Sequence, residues 1–193
     1  MRWREGQAAN AGQLDDYAFT AFALLELYQA AFDVRCLEDA VSLAEQMLTL
    51  FWDESQGGFY LYAADAEQLI SRPKEIYDGA MPSGNSVAAA VLGRLAGLTG
   101  EEKWMRARDR QIRFLAGAIR DYPAGHSMSL LAFMDALYPS QELVCAASGR
   151  QAPAELLEFL RANASADLTV LLKTKENGHR LAKAAPFTAD YPV

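Results

Sequence analysis

Acidic side chains that can transfer protons lie in two segments of the sequence. The first segment holds Asp15 and Asp16. The second holds Glu75 and Asp78. Two carboxyls in one site can share general acid–base catalysis, because one can be protonated while the other is ionised. The alternative role is structural, since Asp15 or Asp16 can cap a helix and Asp78 can fix the turn that follows it.

Two cations accompany the second acidic segment. Arg72 and Lys74 can clamp a carboxylate or a phosphate, and the planar guanidinium of Arg72 suits two-pronged binding. The same two side chains can instead neutralise Glu75 and Asp78 across the loop. The sequence leaves both roles open.

Metal and nucleophile chemistry have little support in the sequence. The chain contains two histidines, His126 and His179, so we expect no zinc site and no cofactor. Cys36 and Cys145 are far apart in apolar contexts, which favours reduced core thiols over a disulfide. Ser83 has no His or Asp partner in its sequence context, so a hydrolase triad is not predicted.

Five helices are expected to position these side chains. Apolar residues recur at helical spacing, and Gly, Pro and acidic turns separate the periodic segments. The predicted helices cover residues 14–32, 37–51, 83–99, 102–119 and 127–137. The first dozen residues are predicted to be a loop, and 59–62 a short strand. Residues 63–82 form a long polar connection, and connections of this length are often functional.

A different pattern follows the fifth helix. Residues 143–147 and 168–172 have the composition of buried strands, and 154–161 that of a helix between them. A crossover helix favours parallel strands, so this unit is predicted to be β-α-β. We therefore divide the chain into residues 1–139, 140–176 and a poorly ordered tail, 177–193. The predicted fold is mainly α with a small β-α-β appendage.

Composition narrows the partners and the location. The chain has 193 residues and a net charge of −7, and it lacks the basic runs that bind nucleic acid or anionic membranes. No apolar run approaches the ~18 residues of a spanning helix, and the first residues do not resemble a signal peptide. We therefore expect a cytoplasmic protein that binds neither nucleic acid nor membranes.

Several motifs together resemble a known family. The sequence resembles the thioredoxin-domain-containing family that includes spermatogenesis-associated protein 20, closely over residues 3–138 and loosely beyond them. The motifs are Leu14-Asp15-Asp16-Tyr17-Ala18, Gly57-Gly58-Phe59-Tyr60, Arg72-Pro73-Lys74-Glu75 and Pro82-Ser83-Gly84-Asn85-Ser86.

The resemblance implies a fold and a location for the site. This family has a six-hairpin (α/α) toroid similar to N-acylglucosamine 2-epimerases and glycosidases, and the chain corresponds to the last part of it. A weak internal repeat of a helix, an acidic turn and a helix agrees with stacked hairpins. Inner helices of such a toroid run in one direction, so the amino ends of the first, third and fifth helices are expected at one rim.

The resemblance also implies roles for individual residues. Asp16 and Asp78 are the expected acid and base, with Glu75 as a third candidate. An epimerase mechanism is less favoured, because the related epimerases use paired histidines and this chain offers His126 alone. Packing at a helix end is the alternative for Trp52 and Tyr60, and helix capping is the alternative for Asn85. The expected substrate-binding residues are Tyr17, Trp52, Tyr60, Arg72, Lys74, Asn85 and His126.

Two functions follow from this interpretation. The first is the carbohydrate-facing wall of an enzyme related to glycosidases or sugar epimerases. The second is a non-catalytic interaction module, because an incomplete ring leaves apolar helix flanks to be covered. The expected partners are accordingly a sugar-like ligand, and either the rest of the toroid or a second copy of the chain.

Overall fold

The computed structural model describes residues 2–9, 11–66, 70–138, 141–165 and 168–193. Within these ranges the chain is mainly helical, with seven α-helices and four short strands. The expected mainly α fold with a small pair of parallel strands is confirmed. None of the described helices combines the length and apolar character needed to cross a bilayer.

The first two helices form a hairpin. Helix α1 spans Leu14–Ala31 and α2 spans Val34–Leu50. Phe32 takes the left-handed conformation that ends α1, with φ of 56°. Asp33 caps α2 by accepting a hydrogen bond from the backbone N–H of Arg35 at 3.0 Å. With this cap, α2 starts at Val34, three residues before the predicted start at residue 37.

Helix α3, Gly84–Thr99, is the centre of the helical layer. Its first half consists of small and β-branched residues that are buried all round, so neighbouring helices can approach from several sides. Helix α3 packs against α1, against α4 (Glu102–Asp121) and against α5 (Ser127–Leu137). The predicted limits of α3 and α5 are close to those observed.

The connection between α2 and α3 is irregular. Gly57 and Gly58 have φ of 74° and 79°, and the ring of Phe114 packs so closely that a side chain at Gly58 would overlap it. Trp52 and Phe59 form an isolated bridge, and no strand forms at 59–62 in this described part of the chain, contrary to the prediction. The turn at these glycines packs against Phe114 of α4, and the pairing does not extend beyond the single bridge.

The C-terminal unit contains the predicted parallel strands. Strands β3 (Gln141–Ala146) and β4 (Leu168–Lys173) pair in parallel, joined by helix α6 (Ala154–Ala162). Strand β4 is mostly buried, whereas β3 is exposed or half-buried along its length, contrary to the prediction that both strands are buried. The side-chain amide of Gln29 bonds both the N–H and the C=O of Val170, which attaches β4 to α1.

Both chain ends differ from the prediction. Residues 178–184 form helix α7 (Gly178–Ala184), which packs on α2 through buried Leu181. The Nζ atom of buried Lys173 donates to the carbonyl oxygens of Thr188 and Tyr191, both at 2.6 Å, and so fixes the segment predicted to be poorly ordered. At the other end, strands β1 (Arg2–Arg4) and β2 (Gln7–Ala9) form an antiparallel hairpin where a loop was predicted.

Candidate functional site

The amino ends of α1, α3 and α5 meet at one side of the helical layer. Asp78 joins two of them, because its carboxylate accepts from the N–H of Ser83 at 2.9 Å and from the N–H of Met128 at 2.8 Å. Ser86 and Ser129 add a hydroxyl contact of 2.7 Å between α3 and α5. We call this shared end the rim.

Asp78 itself has a structural role. It is 7% exposed, and its second oxygen also receives the N–H of Ser129 at 3.3 Å. Three backbone donors therefore surround a carboxylate that lies below the surface. This arrangement favours the structural alternative for Asp78, and we do not retain it in the candidate catalytic pair.

Asp15 joins α1 to the same rim. Its carboxylate lies against Gly84, the first residue of α3, and a β-carbon at Gly84 would overlap it. Asp15 is half-buried, and burial raises the pKa of its carboxyl above the ordinary value, with further increases from the charges of Glu75 and Asp16. The N–H of Gly84 acts in the opposite direction. Asp15 is thus a carboxyl that keeps its proton more readily than an ordinary aspartate.

Asp16 is exposed and takes part in capping α1. Its carboxylate accepts from the N–H of Gln13 at 2.9 Å, as an acidic residue in the third helical position often does. Its neighbour Tyr17 packs edge-on against Phe51 at 5.2 Å between ring centres. Asp16 and Tyr17 border a shallow depression between α1 and α2 that Leu43 also lines.

Glu75 belongs to a segment whose burial alternates. From residue 71 to 77, odd-numbered residues are exposed and even-numbered residues are half-buried. In an extended chain, residues two apart point to the same side, about 6.6 Å apart along the chain. Glu75 and Tyr77 therefore share the outward side, and Glu75 is close enough to raise the pKa of Asp15.

His126 lies beneath an aromatic pair at the rim. Its Nδ1 donates to the carbonyl oxygen of Ile76 at 2.8 Å, because a carbonyl can only accept. The ring of Tyr77 meets His126 edge-on at 6.4 Å and lies parallel to the ring of Tyr122, with ring centres 6.5 Å apart. Tyr77 and Tyr122 are 61% and 56% exposed. Neither tyrosine was selected from the sequence, because their pairing across 45 residues becomes visible only in the fold.

Lys74 pairs with a carboxylate that the sequence analysis did not select. Its Nζ lies 2.7 Å from the carboxylate of Asp53, and the side chains are 11% and 8% exposed. Asp53 also accepts from the hydroxyl of Tyr60 and from Ser55. The ammonium of Lys74 and these hydrogen bonds hold the pKa of Asp53 far below its usual range. Lys74 and Tyr60 thus have internal partners within the connection.

The remaining predicted ligand contacts also have partners inside the fold. Arg72 donates to the carbonyl oxygen of Tyr62 at 2.8 Å and lies 4.2 Å above the ring of Tyr60. Trp52 packs edge-on against Phe59, with the guanidinium of Arg110 on its ring.

Asn85 is fully buried at the start of α3. It exchanges hydrogen bonds with the backbone of Phe59 and donates to the carbonyl oxygen of Glu75. Ser83, not Asn85, caps α3 by accepting from the N–H of Ser86. The amide of Asn85 therefore holds the Glu75 backbone in place at the rim.

The structure thus separates eight of the ten predicted site residues into two sets, while Asp78 and Asn85 are buried beneath the rim. Asp16, Tyr17, Glu75 and His126 lie at or near the rim, joined there by Asp15. Tyr60, Arg72 and Lys74 pack together within the connection, and Trp52 packs on Phe59. In the described ranges, no three His, Cys, Asp or Glu residues are grouped so that they could hold a metal ion.

Comparison with known proteins gives one consistent result. The chain is 45% identical to spermatogenesis-associated protein 20 of Rattus norvegicus and 44% identical to that of Homo sapiens, each over 95 residues. Over about half of its length, the chain is homologous to spermatogenesis-associated protein 20. An uncharacterised protein of Caenorhabditis elegans is 29% identical over 109 residues.

These matches cover a small part of longer proteins. The aligned segment is 49% of this chain but 12% of spermatogenesis-associated protein 20 from rat or human. For the nematode protein the shares are 56% and 15%. No family model matches the chain. The homology therefore shows common ancestry over this segment and does not identify a reaction for the chain.

Proposed function

We propose that the rim is part of a site for a sugar-like ligand, and that Asp15 and Glu75 supply its carboxyl pair. The observation that carries this proposal is the meeting of two unequal carboxyls at the junction of α1 and α3. Asp15 is half-buried against Gly84, whereas Glu75 is exposed two residues before Tyr77. This replaces the pair expected from the sequence, Asp16 and Asp78.

The division of roles follows from the two environments. Burial and the neighbouring charges raise the pKa of Asp15, which suits a proton donor. In glycoside hydrolysis, Asp15 would give its proton to the leaving oxygen of the substrate. Glu75, which is open to solvent, would attack the anomeric carbon or take a proton from the attacking water. Asp16 would add negative charge that further raises the pKa of Asp15.

The wider architecture is also a proposal. Helix α3 contacts α1 and α5, and each of α1 and α3 is followed by a partner helix. Such a row of inner helices with outer partners is what part of a six-hairpin (α/α) toroid would contribute. In that case the rest of the ring comes from further chain, as the greater length of the relatives allows.

A hydrolysis screen tests the proposed pair. We expect the chain to cleave a member of a 4-nitrophenyl glycoside panel, and Asp15→Asn and Glu75→Gln each to lower kcat/KM by about 100-fold or more. Glu158→Gln, which changes an exposed carboxylate on α6, is the matched control and should keep full activity. Unchanged rates in both rim variants, or no cleavage by the wild type, would refute the catalytic assignment.

A second candidate function rests on a different observation. Helix α5 exposes an apolar face at helical spacing, and its members are Leu130, Leu131, Met134, Leu137 and Tyr138. Contiguous apolar surface of this kind marks contact with another protein surface. We propose that, in the isolated chain, this face of α5 contacts a second copy of the chain.

A further inference from the structure

We propose that Tyr77 and Tyr122 form a stacking platform for a pyranose ring, beside Glu75 at the rim. The proposal rests on the proposed function of the rim and names the part of the site that binds the sugar ring. The geometry that carries it is a pair of exposed tyrosine rings, parallel within 2° and held by the backbone beneath them.

The backbone under Tyr77 is fixed on both sides. The carbonyl oxygen of Ile76 receives Nδ1 of His126, and the N–H of Asp78 donates to the carbonyl oxygen of Gly125 at 2.8 Å. Asp78 is in turn fixed by donors from α3 and α5. An exposed ring on such an anchored segment is presented to solvent with little freedom left to lose on binding.

Tyr122 is fixed in a similar way at the end of α4. Its N–H donates to the carbonyl oxygen of Ala118 at 3.0 Å, and its own carbonyl receives the N–H of Gly125 at 3.2 Å. Gly125 lies under both rings, since a β-carbon there would stand 2.6 Å from the Tyr122 ring and 2.7 Å from the Tyr77 ring. The absence of a side chain at Gly125 therefore permits the paired arrangement.

The chemistry of the two tyrosine rings indicates which class of ligand they would bind. The face of an aromatic ring is apolar and electron-rich, so it attracts the apolar C–H face of a pyranose whose hydroxyls are equatorial. A stacked nucleic-acid base is disfavoured, because the chain carries a net charge of −7. Glu75 points to the same side two residues away, at a spacing that suits a carboxyl acting on a ring held over Tyr77.

The test uses cellotetraose and chitotetraose, whose pyranose units have equatorial substituents. Binding is measured by isothermal titration calorimetry and by saturation-transfer NMR from protein aromatic protons to sugar C–H protons. We expect binding to the wild type, and affinity about tenfold lower in Tyr77→Ala and in Tyr122→Ala. Tyr122→Phe keeps the ring and should bind as the wild type does.

Gly125→Ala provides a sharper variant. It keeps both rings but places a methyl group where they meet, so it should weaken sugar binding and abolish the transfer signal. The unfolding temperatures of all these variants are measured in parallel. Because the tyrosine rings are exposed, the values for the tyrosine variants should stay close to the wild-type value, whereas in Gly125→Ala the two rings must shift to admit the methyl group.

The outcomes separate this proposal from the one on which it rests. Sugar binding that survives the alanine variants but is lost in Asp15→Asn overturns the platform and leaves the rim function standing. No binding of either sugar to the wild type at millimolar concentration overturns the platform as well. A change in sedimentation caused by Tyr122→Ala would assign the pair to a contact between copies, and so contradict the sugar assignment.

Discussion

Acidic residues at helix amino ends differ in chemistry according to what surrounds them. Asp78 receives three backbone N–H groups and lies below the surface, so it ties α3 to α5. Asp15 is half-buried beside two like charges, and its burial first and those charges second raise its pKa, whereas the N–H of Gly84 acts in the opposite direction. Residue type alone did not separate these cases. The partners that distinguish the two carboxyls are distant in sequence. Met128 is 50 residues from Asp78, and the charge of Glu75, from the connection between α2 and α3, acts on Asp15.

The connection between α2 and α3 depends on a buried ion pair. Lys74→Met leaves the carboxylate of Asp53 buried without its cation, and we expect the free energy of unfolding to fall by roughly 3 kcal/mol. Lys103→Met is the matched control, since Lys103 pairs with Glu45 and Glu101 in more exposed positions and should cost at most ~1 kcal/mol. Urea unfolding at neutral pH measures both.

The same pair predicts a pH dependence. The pKa of Asp53 is lowered in the folded state, so its stabilisation is complete above the unfolded-state pKa of about 4 and is lost as pH falls below that value. The stability gap between wild type and Lys74→Met should therefore stay constant from pH 7 to 5 and narrow in more acidic solution. An equal effect of the Lys74 and Lys103 substitutions would refute this role for the pair.

At the scale of the elements, prediction succeeded where the local sequence determines the structure. Helix α3 begins at a Ser83 cap and ends at Gly100, and both signals are visible in the sequence. Strands β3 and β4 are apolar runs on either side of a helical segment, and their parallel pairing follows from the crossover.

The elements that were missed depend on distant contacts. Helix α7 is short and polar in part, and it forms against α2, while Lys173 holds the following turn through backbone carbonyls. The bridge of Trp52 and Phe59 replaces the predicted strand because Phe114 packs on Gly58 from another helix. Sequence periodicity does not report such contacts.

One prediction at this scale concerns self-association through helix α5. We expect the wild-type chain to self-associate at micromolar concentration, because its exposed apolar face gains burial in a dimer. Leu131→Glu combined with Met134→Glu should give a monomer of unchanged stability. Leu27→Glu, an exposed apolar position on α1, should leave association unchanged. Sedimentation velocity that finds a monomeric wild type would contradict the role of this face.

At the scale of the whole molecule, the sequence analysis expected the amino ends of the first, third and fifth helices to meet at one rim. The expected meeting of the first and third helices is supported by Asp15 against Gly84, and that of the third and fifth by Asp78. The structure adds partners that the sequence did not indicate. For Arg72 and Lys74 the sequence left two roles open, a ligand clamp and neutralisation of Glu75 and Asp78. Their partners in the structure are Tyr62 and Asp53, and a loop's internal bonds of this kind cannot be read from spacing.

Homology and geometry contribute different parts of the account. The relatives are longer proteins that match about half of this chain, whereas the meeting of helix ends, carboxyls and tyrosines comes from the structure. The central claim is that this meeting point binds a sugar-like ligand.

A thermal-shift screen of sugars, sugar phosphates and uronic acids tests that claim most directly. A ligand present at ~100 times its dissociation constant adds about 2.7 kcal/mol, which for a chain of this size raises Tm by about 5 to 10 °C. The account predicts such a shift for the wild type and for Glu158→Gln, and its loss in Asp15→Asn. A shift that persists in Asp15→Asn, or no shift with any member of the screen, would contradict the account.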